Sequence, residues 1–158
     1  MRIDHPIPPL YDGNSRILIL GSFPSAASRK ARFFYGHPQN RFWRVLAALY
    51  EEKTPESTEE KRSFALGHGI ALWDVIASCE IRGSADSTVR EACPNDLSPI
   101  LRGSRVERIF TNGRLSSELY ARYQEKETGI RAVYLPSTSP ANAAFGMERL
   151  IERWKVIL

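Results

Sequence analysis

Four short apolar segments with helical patterns between them constrain the fold of this chain most strongly. The segments span residues 16–20, 70–76, 106–111 and 131–135, and each is bounded by Gly, Pro, Ser or Asn. Short, continuous apolar runs are typical of strands that are buried on both faces of a parallel sheet. Their alternation with helices predicts an α/β fold, here a three-layer α/β/α sandwich around a central four-stranded parallel sheet.

The helical patterns have defined starts and apolar faces. Residues 39–50 place apolar side chains on one broad face, and Pro38 suits the first turn of that helix. Ser57 and Glu60 have the spacing of a capping box before a second helix. Two further apolar stripes predict two more helices, one through Leu115, Leu119 and Tyr123 and one through Met147, Leu150, Ile151, Trp154 and Leu158.

Length and composition limit the classes of protein to consider. The 158 residues predict a single domain over residues 1–158. No window holds the roughly 18 apolar residues of a membrane span, and no apolar leader opens the sequence, so we expect a cytoplasmic protein without a membrane partner. The two cysteines and three histidines lack metal-ligand spacing, which predicts neither metal nor cofactor. No interface patch stands out, so a monomer is the default expectation.

The charge pattern is compatible with a nucleic-acid partner. The chain carries 22 Lys and Arg residues against 18 Asp and Glu residues, a net charge of +4. Residues 29–44 contain five basic residues and no acidic one. A cluster of this kind fits a phosphate-binding surface, but many solvated protein faces have the same composition.

Polar segments follow each of the four predicted strands. They span residues 21–28, 74–78, 112–113 and 136–142 and are rich in Gly, Ser, Pro or Asn. In open α/β sheets, ligands bind outside the carboxyl ends of the strands. We therefore expect the functional site here, although the first segment, Gly-Ser-Phe-Pro-Ser, also fits an ordinary turn.

The segment F-F-Y-G-H-P-Q-N-R-F-W over residues 33–43 is the most unusual in the chain. Phe42 and Trp43 lie on the apolar stripe of the predicted helix, so we expect them in the core. Tyr35, His37 and Asn40 are not explained by a core. An aromatic ring beside polar residues on a loop is what stacking on a nucleobase requires.

The G-S-F-P-S segment followed by F-F-Y-G-H-P-Q-N-R-F-W resembles the first motif of the uracil-DNA glycosylase superfamily. It is most similar to the hypoxanthine-DNA glycosylase branch, often called family six, over roughly residues 16–145. The resemblance implies a metal-free, monofunctional DNA glycosylase. Such an enzyme hydrolyses the N-glycosidic bond of a flipped, deaminated base, hypoxanthine or uracil, and its partner is DNA that contains this base.

The resemblance also implies roles for individual residues. The catalytic role falls on Asn40, whose alternative role is a helix cap. Contacts to the base are expected from Gly21, Phe23, Tyr35, His37, Asp74 and Asn112. Contacts to DNA are expected from Ser22, Ser25, Ser137, Ser139, Pro140, Ala141 and Asn142. Tyr35 would stack on the base and Asn112 would read its polar edge, although Asn112 in an Asn-Gly pair also fits a turn. Asp74 fits either water positioning or loop support.

Two departures from the superfamily pattern matter for the chemistry. Many members have Asp or Asn before the proline of the first motif, where this chain has Phe23. Many have a histidine at the start of the last motif, where this chain has Ser137. Both usual catalytic side chains are therefore missing, and Asn40 remains as the family-six candidate.

Phosphate contacts are expected from the loops at residues 21–28, 84–88 and 137–139. Positive charge for DNA binding is expected from Arg29, Arg32, Arg41 and Arg82. No lysine occupies a motif position, so a Schiff-base step is not expected. Two other functions fit the same residues: a nucleic-acid-binding module of this fold that has lost catalysis, and a hydrolase of free nucleosides or nucleotides.

Overall fold

The computed structural model describes residues 2–80 and 90–158. The strands are β1 (Arg2–Asp4), β2 (Ile17–Gly21), β3 (Ile70–Asp74), β4 (Ile76–Glu80), β5 (Arg90–Pro94), β6 (Arg108–Asn112) and β7 (Val133–Leu135). The helices are α1 (Ala26–Ala31), α2 (Phe42–Leu49), α3 (Thr58–Gly67), α4 (Ser98–Gly103), α5 (Arg114–Tyr123), α6 (Glu125–Thr128) and α7 (Met147–Trp154). A short 3₁₀ turn, Lys155–Ile157, follows α7.

The central sheet has four parallel strands in the order β3-β2-β6-β7. Ile17 at the start of β2 lies opposite Ile70 of β3 and Arg108 of β6, so the three strands are in register and end together. All five residues of β2 are buried. The predicted α/β fold and its four parallel strands are confirmed, and the carboxyl ends of the strands form one edge.

Apolar side chains of the sheet enter two cores, one on each face. Ile17 and Ile19 of β2 pack on one face with side chains from α2, α3 and α7. Leu18 and Leu20 pack on the other face with side chains from α4 and α5. Successive residues of a strand point to opposite faces, which is why a fully apolar strand serves two cores at once. This arrangement confirms the three layers.

A second sheet, of three strands in the order β1-β4-β5, was not predicted. The apolar run at residues 70–76 is not one strand, because the chain turns at Val75 and continues as β4. The N–H groups of Val75 and Ile76 donate to the carbonyls of Gly21 and Ser22, at 2.8 and 3.0 Å, instead of continuing the β3 ladder. β4 pairs antiparallel with β1 and β5, which brings the N-terminal strand beside the end of β3.

Several helix predictions need correction. α2 begins at Phe42, so Pro38 lies in the preceding turn and not in the first turn of the helix. The capping box of Ser57 and Glu60 is confirmed at the start of α3. In the last helix Leu158 is 60% exposed, because the helix ends at Trp154 and the following 3₁₀ turn buries Ile157 instead.

The apolar stripe predicted for α5 is shifted by one residue from the face of the helix that is buried. Ser116 and Tyr120 are the buried residues of this helix, whereas Leu115 and Leu119 are only partly buried. Tyr120 reaches the core because its hydroxyl finds partners there, at 2.6 Å from Thr128 Oγ1 and 2.5 Å from the Ile130 carbonyl.

Candidate active site

A cleft of about 560 Å³ opens at the carboxyl edge of the parallel sheet. It is lined by Gly21, Ser22, Phe23, Pro24, Ser25, Ser28, Phe34, Tyr35, His37, Asn40, Asp74, Asn112, Ser137, Thr138, Ser139, Pro140 and Ala141. Every residue predicted for the site, except Asn142, therefore lies around one cleft. The loops that bring them together leave β2, β3, β6 and β7, as the parallel topology requires.

The floor of the cleft is formed by Gly21, Asp74 and Tyr35. A β-carbon on Gly21 would collide with Oδ1 of Asp74 and would lie 3.3 Å from the Tyr35 hydroxyl. Gly21 is thus required because two polar side chains occupy the space that any other residue would fill. Asp74 is 4% exposed and is the only carboxylate among the described residues that line the cleft.

Asp74 is hydrogen-bonded to His5, a residue that no sequence motif indicated. His5 Nε2 lies 2.7 Å from Asp74 Oδ2, and the two side chains are 3% and 6% exposed. His5 Nδ1 accepts the backbone N–H of Ile7 at 3.1 Å, which places the imidazole proton on Nε2. His5 therefore donates to Asp74. No local spacing signals this contact, because 69 positions separate the two residues.

The backbone around Asp74 is fixed by a buried amide network. Asn95 donates from its side chain to the carbonyls of Asp74 and Ile76, at 2.9 and 3.2 Å. Gln124 donates to the carbonyls of Val75 and Asn95, at 3.2 and 2.7 Å. These contacts stabilise the turn between β3 and β4, so the position of Asp74 does not depend on His5 alone.

Tyr35 has a strained backbone and an unpaired hydroxyl. Its φ of +54° lies in the left-handed region, which bulky residues seldom adopt. The neighbouring Gly36 N–H donates to Ser28 Oγ at 2.9 Å, and Trp43 Nε1 donates to the Phe34 carbonyl at 3.1 Å, so both flanks are fixed. The Tyr35 hydroxyl is buried without a hydrogen-bond partner in the described structure.

The environment of Tyr35 determines what its ring and hydroxyl can offer. Burial raises the pKa of the hydroxyl far above its ordinary value, the Asp74 carboxylate raises it further, and the nearby Asn112 amide lowers it. The hydroxyl therefore stays protonated. The ring stacks on Phe42 with centroids 3.9 Å apart, so one of its faces is covered and only the other can meet a base. Phe42 and Trp43 are buried, as predicted.

Asn40 lines the cleft and is not the N-cap residue of α2, which is Arg41. Its Oδ1 accepts the backbone N–H of Phe42, the first residue of the helix, at 2.9 Å. This contact fixes the carbonyl side of the amide, which leaves the N–H₂ group as the part of Asn40 that can donate to a ligand. His37 is similarly oriented, because its Nδ1 accepts the Gln39 N–H at 3.1 Å.

Asn112 is tied to the loop at residues 137–142. Its Oδ1 accepts the Thr138 N–H at 3.1 Å, and its Nδ2 donates to Thr138 Oγ1 at 3.0 Å. The amide thus positions this loop through both of its functional groups. One N–H and one lone pair remain for the base-reading role that the sequence suggests.

The same loop is rigid for further reasons. Ser137 Oγ accepts the Ser139 N–H, and Ser139 Oγ accepts the Ala141 N–H, both at 3.1 Å. Asn142 does not belong to the cleft lining, and its side chain donates to the Ser137 carbonyl at 3.0 Å. The loop is therefore held in one shape, with Pro140 and Ala141 exposed at the rim.

Two of the arginines expected to supply positive charge for DNA binding also make hydrogen bonds within the protein. Arg41 donates to the carbonyls of Phe145, Ser139 and Asn142, the latter two at 3.2 and 3.1 Å. Arg29 donates to the Pro24 carbonyl at 2.7 Å. Arg41 is a clamp on the loop because three carbonyls converge on its guanidinium. Arg82 and the loop at residues 84–88 lie outside the described residues.

Comparison with known proteins places the chain in a family. The family model of the uracil DNA glycosylase superfamily matches residues 8–157. The chain belongs to the uracil DNA glycosylase superfamily.

Individual relatives agree with this placement. A hypoxanthine DNA glycosylase of Methanosarcina acetivorans is 34% identical over 154 residues, which cover 95% of this chain and 94% of that protein. A hypoxanthine DNA glycosylase of Methanosarcina barkeri is 35% identical over 140 residues, which cover 85% of each chain. The resemblance predicted from the two motifs is confirmed.

A solved structure gives the same result for the fold. The solution NMR structure of a protein of M. acetivorans, provisionally named a uracil DNA glycosylase, superposes with a TM-score of 0.84 and 32% identity. The superposition covers 99% of this chain and 96% of that one.

The two superfamily positions that differ in this chain do not supply acid–base chemistry. Phe23 is buried, with its ring edge-to-face against His5 at 5.8 Å and Arg29 over it at 5.7 Å. Ser137 uses its hydroxyl to fix the Ser139 N–H. Asp74, Asn40, Asn112 and His37 are the remaining residues of the cleft lining with a carboxylate, amide or imidazole group.

Three further features of the structure concern membrane helices, metal ions and cysteines. In the part of the chain that the structure describes, no helix is long and apolar enough to cross a membrane. Within residues 2–80 and 90–158, no group of three His, Cys, Asp or Glu side chains is arranged to hold a metal ion. Both cysteines are free thiols, Cys79 buried and Cys93 exposed.

Proposed function

We propose that this protein is a DNA glycosylase that hydrolyses the N-glycosidic bond of hypoxanthine in DNA and so starts base excision repair. The observation that carries the proposal is the cleft at the carboxyl edge of the sheet, where the Asp74 carboxylate, the Tyr35 ring and the Asn40 amide line one space. Membership of the superfamily and the relatives named hypoxanthine DNA glycosylase support DNA as the substrate and hypoxanthine as the base.

The size and shape of the cleft fit a flipped nucleotide. About 560 Å³ is within the range of roughly 300–1,000 Å³ that small-molecule sites occupy. A duplex base cannot be reached in its stack, so the nucleotide must rotate out, at a cost of a few kcal/mol that is smaller for a mispaired base. Deaminated bases are mispaired, which favours them as substrates.

The rim supplies contacts to the DNA backbone. Ser22 and Ser25 lie on one side of the cleft, and Ser137 and Ser139 lie on the other. Hydroxyl and backbone N–H groups at these positions are suited to phosphate oxygens. The rigid loop that ends in Pro140 and Ala141 would fill the gap that the flipped nucleotide leaves.

The base would be recognised by Tyr35 and Asn40. The protonated Tyr35 hydroxyl is a donor without a partner, and a base oxygen or nitrogen would complete its hydrogen bonding. The Asn40 N–H₂ group would stabilise the negative charge that the departing base develops. Uracil shares adjacent N–H and C=O groups with hypoxanthine, so it is the second base to test.

The nucleophile is inferred to be water. None of the described residues that line the cleft is a lysine, so an amine that could form a Schiff base is missing from this set. Hydrolysis by water would leave an intact abasic site, and the enzyme would be monofunctional.

The proposal is tested with duplex oligonucleotides that contain a single hypoxanthine, a single uracil or, as a control, only normal bases. Under enzyme excess we expect hypoxanthine to be released, with strand scission only after alkaline treatment. Release of neither base contradicts the proposal. Binding to the hypoxanthine duplex without release would identify a binding module, and cleavage of free inosine without cleavage of DNA would identify a nucleoside hydrolase.

A further inference from the structure

The pair of His5 and Asp74 has a geometry that a purely structural contact does not need. Asp74 uses Oδ2 for His5, while Oδ1 lies over Gly21 near the Tyr35 hydroxyl and receives no hydrogen bond from a described residue. Asp74 is 4% exposed and lines the cleft, so its second oxygen is accessible from that space. A ligand or a water in the cleft can therefore bind it.

We propose that Asp74 is the catalytic carboxylate that accepts a proton from the attacking water, and that His5 is the residue that positions it. This inference rests on the proposed glycosylase function, because it assigns the proton acceptor for the same reaction.

The other polar groups of the cleft are poorly suited to accept that proton. Asn40 has an amide that does not titrate in this range, and its oxygen already accepts the Phe42 N–H. Tyr35 is protonated, since burial raises the pKa of its hydroxyl. His37 already uses Nδ1 to accept the Gln39 N–H, so this nitrogen is not available to take a proton.

His5 holds Asp74 from behind the cleft. It does not line the cleft itself. The His5 N–H donates to the Ala77 carbonyl at 2.7 Å, and its ring lies between Phe23 and Trp73, in edge contacts at 5.8 and 6.1 Å. Trp73 in turn donates to the Ile7 carbonyl at 3.0 Å. The imidazole is thus locked on every side, so its Nε2–H fixes the rotation of the carboxylate.

The reaction balances with water and the nucleotide alone. The water oxygen bonds to C1′ of the sugar as the bond from C1′ to the base nitrogen breaks and its electron pair leaves with the base. One water proton passes to Oδ1 of Asp74. The base takes up a proton from solvent, and Asp74 returns its proton to solvent. The negative carboxylate also stabilises the positive charge that develops on the sugar before the water bond is complete.

The experiment measures the single-turnover rate of hypoxanthine release, the Kd for the same duplex and the melting temperature. Asp74→Asn keeps the shape and an acceptor for His5 but cannot take a proton. We expect its rate to fall by about 100-fold or more, the lower range for lost general-base catalysis, with Kd and melting temperature nearly unchanged. Formate added to Asp74→Ala is expected to restore part of the rate, which a structural role would not produce.

Two variants test the positioning role. We expect His5→Leu to lower the rate by about tenfold without changing Kd, and His5→Gln, which retains a donor near the position of Nε2, to recover much of it. The matched control is His68→Gln, which removes a second histidine paired with a carboxylate at 2.7 Å, outside the cleft lining. This control should excise at the normal rate.

The outcomes separate the two proposals. If the normal protein releases no hypoxanthine, the glycosylase function is wrong. If the normal protein is active and Asp74→Asn stays within about threefold of it, Asp74 is not the proton acceptor and only the further inference is overturned. Equal rates for His5→Leu and His5→Gln would remove His5 from the positioning role.

Discussion

Two histidine–carboxylate pairs in this protein have the same length and opposite surroundings. His5 and Asp74 are 2.7 Å apart, with side chains 3% and 6% exposed. His68 and Glu52 are also 2.7 Å apart, with side chains 24% and 49% exposed. We call them the inner pair and the outer pair. The distance between the nitrogen and the carboxylate oxygen does not distinguish the two pairs, so the difference in role has to come from burial and location.

The outer pair is an ordinary surface feature. His68 follows the last residue of α3 and stacks on Tyr50 with ring centroids 3.8 Å apart. Exposed pairs contribute about 0–1 kcal/mol, because water already solvates both groups. The inner pair lies at the end of a sheet strand beside the cleft, where both side chains are nearly buried and one Asp74 oxygen remains accessible to a ligand. Gly21 and Tyr35 lie near the inner pair, and Gly67 and Tyr50 lie near the outer pair, so that matched variants can be made.

The largest effect is expected from a substitution of Gly21, for which Gly67 is the matched control. Gly21→Ala places a methyl group against Asp74 Oδ1, which cannot rotate away while His5 holds the carboxylate. We expect excision to fall by about 100-fold and stability by about 1–3 kcal/mol, as for an overpacked site. Gly67→Ala, beside the outer pair, meets nothing within 4 Å and should leave excision unchanged. Normal excision by Gly21→Ala would show that the free oxygen of Asp74 is not needed.

Asn40 tests whether the inner pair works alone. We expect Asn40→Ala to lower the single-turnover rate by about tenfold or more with little change in DNA binding, because the donor to the departing base is lost. Asn40→Asp retains an oxygen that accepts the Phe42 N–H but lacks the N–H₂ group. It should be as slow as the alanine variant while melting at the normal temperature. A fast Asn40→Asp would reduce the role of Asn40 to its contact with Phe42.

Replacement by phenylalanine should change stability and excision at Tyr35 and change neither at Tyr50. Tyr35→Phe removes a buried hydroxyl without a partner, so we expect the protein to become more stable by about 1 kcal/mol. Excision should nevertheless fall by about fivefold, the value of one hydrogen bond to the base. Tyr50→Phe, at the outer pair, should change neither rate nor stability appreciably. Thermal melting and single-turnover assays on both variants would check this, and a loss of stability in Tyr35→Phe would contradict it.

The smallest effect is expected from breaking the outer pair itself. Glu52→Gln should lower the free energy of unfolding by less than about 1 kcal/mol, with a smaller difference at high salt. Denaturant titrations at two ionic strengths would measure it. A large loss of stability, or any loss of excision, would mean that the two pairs are more alike than their exposure indicates.

The sequence predicted those parts of the fold that depend on local patterns. The four parallel strands were found because each is a continuous apolar run, and the cleft was found because its loops follow those strands. The second sheet was missed because its strands β1 and β5, Arg-Ile-Asp and Arg-Glu-Ala-Cys-Pro, are short and contain no continuous apolar run. Their pairing with β4 depends on tertiary contacts, as strand formation generally does.

The hydrogen bonds that the site residues make were harder to predict than the identity of the residues that line the cleft. The residues around the cleft followed from motif positions. The sequence could not reveal that Arg41 binds carbonyls of the 137–145 segment, because that depends on how the loop folds back over α2. It could not reveal His5 either, since an isolated histidine in an N-terminal segment has no spacing that points to Asp74.

Because His5 must reach Asp74, the site is complete only after β1 has paired with β4 during folding. Arg2 lies opposite Glu80, and His5 meets Asp74 across 69 positions of the chain. Contacts between distant positions require a large loop to close and slow the folding reaction, whereas helices such as α2 form from neighbours. During refolding, we therefore expect circular dichroism to recover before excision does, with the interval shortened when the two strands are joined by an engineered disulfide.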